Sequence, residues 1–202
     1  MSLRRLSTVV AALLIGLTAT GCATHSAADV HHAGGILSGT EVADSNNDGA
    51  YIEARNITYQ LQISRQLNPF SVQDRQFLVG LPSGMTPTGL APNELWYGVF
   101  LWAKNQHHAP HWTSDRFEIV DTQGNTYHPI KLDTAINPLA WKSQQLQYGD
   151  TEPGEDQIAT QFFEGGKLVL FKLNDSIYSN RPLTLYILSP QNKKIGSISL
   201  DL

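Results

Sequence analysis

The chain predicts an all-β fold, an antiparallel sandwich of two packed sheets with one short helix. Three observations carry that expectation. Residues 95–105 are apolar on both alternating faces: Leu95, Tyr97, Val99, Leu101 and Ala103 on one, Trp96, Phe100 and Trp102 on the other. Side chains alternate along a strand, so this segment needs cover on both sides and reads as the central strand. About seven short strand-like runs are separated by turn signals, and no long amphipathic helix interrupts them.

The remaining elements follow in order. Ile57, Tyr59, Leu61 and Ile63 alternate with polar residues, which predicts a half-buried strand with those four on one face. Asn68 and Pro69 resemble an N-cap followed by proline at the first helical position, predicting a short helix to about Arg75. Residues 82–92 are rich in proline and glycine and read as a loop. Residues 117–121 and 126–130 flank a glycine-containing turn and predict a hairpin. Lys167 to Leu173 alternates again, with Leu168 and Leu170 facing away from Val169, Phe171 and Leu173. Residues 183–188 and 195–202 close the chain as two further strands.

With 202 residues, the chain suits one domain and a short extra segment. Its formal net charge of -4 provides no electrostatic footprint for nucleic acid. The N-terminus is more telling. Arg4 and Arg5 precede an apolar run over residues 6–17, followed by small residues, as in a secretory signal peptide. Ala19, Thr20, Gly21 and Cys22 then resemble the bacterial lipobox, departing from it at Ala19, where leucine is commoner. In that motif the cysteine is acylated and begins the mature chain, and Cys22 is the single cysteine here. The expected division is a lipoprotein signal peptide over 1–21, a lipidated Cys22 with a flexible tether over 22–50, and the sandwich over 51–202. That places the protein on the extracytoplasmic face of the cell membrane.

Several runs, 59–69, 96–100, 117–127, 166–171 and 180–185, resemble a family of uncharacterised bacterial secreted lipoproteins. The order of a strand ending at Asn105, a hairpin at Asp121 to Gly124 and a turn at Pro153, Gly154 and Glu155 is similar to their immunoglobulin-like extracellular domains. The resemblance spans roughly residues 51–190. It implies a fold, and it brings no catalytic residues with it.

Four constellations could carry chemistry. His107, His108 and His111 fall within five residues, with Asp115 nearby, and imidazoles suit zinc or copper(II). The competing account is a polar loop at one end of the sandwich. Asp44 to Gly49 imitates the start of a calcium loop, but its twelfth position is Arg55 rather than glutamate. Asp150, Glu152, Glu155 and Asp156 surround a Pro-Gly turn and read as exposed, hydrated carboxylates rather than a glycosidase pair. Trp112 and Trp141 fall in loops and could form a platform for a sugar ring or a partner, whereas Trp96 and Trp102 belong to the central strand. Arg65 with Asp74 reads as a structural pair.

No hydrolase motif is present: Gly-x-Ser-x-Gly, Ser-x-x-Lys and His-Glu-x-x-His are all missing from the sequence. The expectation is a non-enzymatic envelope lipoprotein without cofactor, attached to the membrane through its lipid and binding a protein or glycan partner. The alternative is an envelope metal-binding protein using the histidine loop. An enzyme acting on envelope polymers ranks last.

Overall fold

The computed structural model describes residues 51–200 and two short strands at 36–38 and 42–43. The leader, Cys22 and the calcium-like run at 44–49 lie outside the described residues. In chain order the strands are β1 (Ile36–Ser38), β2 (Val42–Ala43), β3 (Tyr51–Ala54) and β4 (Ile57–Leu67). A single-turn helix, α1 (Val72–Arg75), leads to β5 (Glu94–Lys104), β6 (His111–Trp112), β7 (Phe117–Val120), β8 (Thr126–Tyr127) and β9 (Pro129–Ile130). Then come β10 (Gln145–Leu146), β11 (Thr151–Glu152), β12 (Lys167–Asn174), β13 (Leu183–Leu188) and β14 (Lys194–Leu200).

One sheet runs β1-β3-β4-β5-β12-β9, with β11 pairing the end of β5 beyond β12. The second runs β2-β14-β13-β7-β8, and β6 with β10 makes a separate two-stranded ribbon. Between the named strands the pairings are antiparallel except β1 on β3 and β2 on β14, and an isolated parallel bridge joins Ala140 to Leu168. The expected β-sandwich is therefore the observed one, and β1 and β2 add to it from within the segment read as a tether.

Strand β5 feeds two cores. Leu95, Tyr97, Val99, Leu101 and Ala103 lie between the sheets with Phe117, Ile119, Leu185 and Ile198. Trp96 and Phe100 lie on the outer face, under Phe77, Leu78, Leu132 and Leu139. Strand β12 divides the same way, with Val169, Phe171 and Leu173 inside and Leu168 and Leu170 outside. Gly98 lets the layers close, since a Cβ there would sit 3.0 Å from both Leu168 and Phe100.

Three sequence expectations change. The β4–β5 register shifts between Leu61 and Ile63, leaving Gln62 as a bulge. One extra residue reverses the alternation, so Ile57, Tyr59 and Leu61 face the inner core while Ile63 and Leu67 face the outer one. The helix starts later than expected because the Asn68 side chain folds back to accept from the Phe70 N–H at 3.0 Å. That Asx turn replaces the N-cap. The strand expected over 126–130 splits at His128: β8 stays with β7, and β9 crosses to β12 in the other sheet.

Candidate functional site

The loops gathered at one end of the sandwich are built on Asn105. It is fully buried, and its amide donates to the carbonyls of Ala109 at 2.8 Å and Leu146 at 2.9 Å. Its Oδ1 accepts from the His107 N–H at 2.8 Å. One side chain thus closes the histidine loop and fixes the β6–β10 ribbon to β5.

That loop spreads the three histidines. His107 turns to Glu53, Nε2 to Oε1 3.2 Å, and lies edge-on to His111 with ring centroids 5.9 Å apart. His108 instead packs against the Tyr148 ring, 4.6 Å between centroids. His111 Nε2 lies 3.4 Å from the Asn56 amide. Among the described residues no three of His, Cys, Asp and Glu are grouped to hold a metal ion. The geometry does not favour the three-histidine site His107, His108 and His111.

The two loop tryptophans part company. Trp112, on the ribbon, is 64% exposed. Trp141 packs against the inner core, edge-on to Phe117 at 5.7 Å, and its indole N–H donates to the Ser114 carbonyl at 2.8 Å. They line different hollows that meet at Asp115 and Ser143. Trp96, buried as expected, donates to the Pro87 carbonyl at 2.7 Å.

The hollow under Trp112 has a volume of about 390 Å³ and is lined by Arg55, Arg116, Tyr59, Ser114 and Ser143 among others. Its walls are tied down. The Tyr59 hydroxyl accepts from the Ser114 N–H at 2.7 Å, and Ser114 Oγ donates to the Leu188 carbonyl at 2.7 Å. Burial pushes the Tyr59 hydroxyl well above its ordinary value, although the Ser114 hydrogen bond and Arg55 oppose this. Arg116 Nη1 donates to Asn192 Oδ1 at 2.7 Å.

Arg55 occupies an unusual position. Residues 55 and 56 form the two-residue turn between β3 and β4, closed by the Ala54–Ile57 pair. Both have positive φ, 52° and 66°. Such a turn favours Asn-Gly, and an arginine in the left-handed region costs roughly 1–2 kcal/mol. Among the described residues Arg55 has no hydrogen-bonding or ion-pair partner. Nothing in the local sequence marks this turn, because Arg55-Asn56 is not one of the residue pairs that favour it.

Of the acidic cluster, Asp150, Glu155 and Asp156 are exposed as expected, and Glu152 is not. Glu152 is 3% exposed rather than hydrated. It accepts from the Gln144 amide, and its Oε1 lies 3.8 Å from Lys167 Nζ, which itself donates to the Pro138 carbonyl at 2.6 Å. Burial raises the Glu152 carboxyl above its ordinary range against the pull of Lys167, Gln157 and Gln144. Burial likewise lowers the Lys167 ammonium, opposed by Glu152. Strand β11 pairs with β5, which draws Glu152 beneath the loops. The pair is sealed in, not presented to a substrate.

Arg65 does pair with Asp74, at 2.7 Å, and also with Glu164 at 2.8 Å, a partner 99 residues away that local reading could not find. This clamp lies across the Phe77 ring at 5.7 Å. It braces the outer core.

Fold and site together define a two-sheet β-sandwich carrying an aromatic and cationic hollow at one end. No protein-family profile and no curated protein matches the chain. Among solved structures it is similar to a candidate lipoprotein, ycdA, of Bacillus subtilis, with TM-score 0.45 and 11% identity over 74% of this chain. The match spans only 38% of that protein's length. It is similar too to the yjhA protein of Bacillus subtilis, TM-score 0.42 and 8% identity, over 75% of this chain and 96% of that one. An uncharacterised β-sandwich protein of Clostridium difficile gives TM-score 0.41 and 10% identity, over 80% of this chain and 96% of that one.

Proposed function

We propose that this protein is a lipid-anchored β-sandwich on the extracytoplasmic face of the cell membrane, acting as a non-enzymatic binding module. Its contact surface is the end bearing Trp112. The observation that carries the reading is the 64% exposure of Trp112 at the rim of a hollow, while Trp96 and Trp141 commit their indole N–H groups inside the fold. A large exposed aromatic beside a cavity favours contact with a ligand. The anchor rests on the lipobox-like residues ending at Cys22, since two acyl chains hold a protein stably in a bilayer.

Both halves are tested in one bacterial host. Wild type should take up an alkyne fatty acid and fractionate with membranes, and Cys22→Ser should do neither; continued labelling of that variant would sink the anchor. Detergent-solubilised full-length protein should cosediment with isolated cell walls, and Trp112→Ala should stay in the supernatant. Equal cosedimentation would remove the surface assignment.

A further inference from the structure

The Trp112 hollow contains a feature that a general contact surface does not require. Its volume of about 390 Å³ falls in the range of small-ligand sites, roughly 300–1,000 Å³. Two arginines line it, Arg55 and Arg116, against one acidic residue, Asp115. Arg116 is already engaged, by Asn192 at 2.7 Å and more loosely by Asp115 at 3.7 Å. Arg55 has no such partner among the described residues. It is also held in a backbone conformation that glycine or asparagine would adopt with less strain. Strain of that kind, at the rim of a cavity and ending in a charge without an ion-pair partner among the described residues, points to a role for the side chain itself.

We propose that this hollow binds a carboxylated sugar, with the sugar ring on the Trp112 face and its carboxylate on the Arg55 guanidinium. The inference rests on the binding-module reading above and supplies its ligand class. Each part of the hollow matches a part of such a ligand. The exposed indole provides an apolar face for the C–H side of a pyranose ring. The planar guanidinium fork matches a carboxylate in a bidentate pair. Ser114 and Ser143 line the same space with Arg116; their hydroxyls donate to the Leu188 and Thr113 carbonyls and keep lone pairs with which to accept from ring hydroxyls. A neutral sugar would use the indole and leave Arg55 unmatched. A flat anion without a ring would use Arg55 and leave the indole bare.

The test uses full-length lipidated protein in detergent micelles, titrated calorimetrically with N-acetylmuramic acid, glucuronic acid and N-acetylglucosamine. The first and third differ by a lactyl carboxylate, so their ratio reads the contribution of Arg55. Wild type should prefer the carboxylated member by about tenfold, equivalent to roughly 1.4 kcal/mol. Arg55→Asn, which suits the turn and keeps the fold, should remove that preference and leave weak binding of both. Trp112→Ala should lose both. A preference for N-acetylmuramic acid over glucuronic acid would point to peptidoglycan as the source; the reverse would point to an acidic polysaccharide. Equal binding of acid and neutral sugars by wild type, or an unchanged preference in Arg55→Asn, would overturn the proposal. If no sugar binds while Trp112-dependent cosedimentation with cell walls persists, the ligand class is wrong and the binding-module reading survives.

Discussion

The Asn105 side chain donates to the Leu146 carbonyl at 2.9 Å, across 41 residues of sequence, and so fastens the ribbon that carries Trp112 to the central strand. Few single groups in the molecule hold so much. Asn105→Ala would orphan the buried Leu146 carbonyl and would leave the Ala109 carbonyl and the His107 N–H, both nearer the surface, without this partner. At about 1–3 kcal/mol per unsatisfied buried group, partly relieved by water, a net loss of roughly 2–4 kcal/mol is expected. Urea unfolding should show it as a lower midpoint at unchanged slope.

Arg65 pairs with two carboxylates that are themselves nearly sealed, Asp74 and Glu164, with side chains 10% and 9% exposed. Arg65→Met should cost about 3–5 kcal/mol, because removing one member strands the others. Glu164→Gln should cost much less, since Arg65 keeps Asp74. The two midpoints measured side by side decide the matter; equal losses would mean the clamp works by packing alone.

The pH dependence has two limbs of opposite sign. Asp121 is buried, which raises its carboxyl, but hydrogen bonds from the Asn125 and Asn180 side chains and the Asn125 and Gln123 N–H groups outweigh this and hold it below its ordinary value of 3.8. Its contribution is present above that value and is lost as pH falls through the lower folded one. Asp74 behaves alike: burial raises it, and Arg65 and the Asn68 N–H bring it down further. Glu152, raised chiefly by burial, holds its proton longer folded than unfolded. Its contribution is present below its ordinary value of 4.5 and is lost as pH rises from there through the raised one. Chemical unfolding across pH should lose stability along the acid limb in wild type and less steeply in Asp121→Asn. Glu152→Gln should flatten the upper limb only.

Arg55 sets stability against binding. Replacing it with asparagine relieves a left-handed arginine, so Arg55→Asn should be more stable than wild type by up to about 1 kcal/mol. A thermal melt checks the sign. A destabilised variant would show that the arginine earns its place by holding the fold.

Much of the framework was legible because it is written in short-range alternation. Strands β5 and β12 announce both of their buried faces through Tyr97 and Phe100, Phe171 and Leu170. The bulge at Gln62 carries no such mark, since Gln62 falls between Leu61 and Ile63 as a polar residue of an uninterrupted alternating strand would. At the candidate site the two tryptophans read alike as loop residues, yet Trp112 lies exposed on strand β6 while Trp141 is drawn inward by Ser114 and Phe117. Glu152 misled for a similar reason. Its neighbours in sequence are turn formers, while its burial is decided by Gln144 and Lys167, brought to it by the strand pairing. Partners far along the chain are invisible to composition.

Strand β1 pairs Ile36 with Tyr51 and so takes up chain that would otherwise span the gap between Cys22 and the sandwich. At 3.3–3.6 Å per extended residue, the span from Cys22 to Ile36 reaches no more than about 50 Å, half of what it would be if the sandwich began at Tyr51. If Cys22 carries the proposed lipid, the Trp112 end would meet only what lies within that radius plus the domain's own length. Under that proposal, the length of chain between Cys22 and Ile36 would select, as much as the hollow does, what the protein can touch.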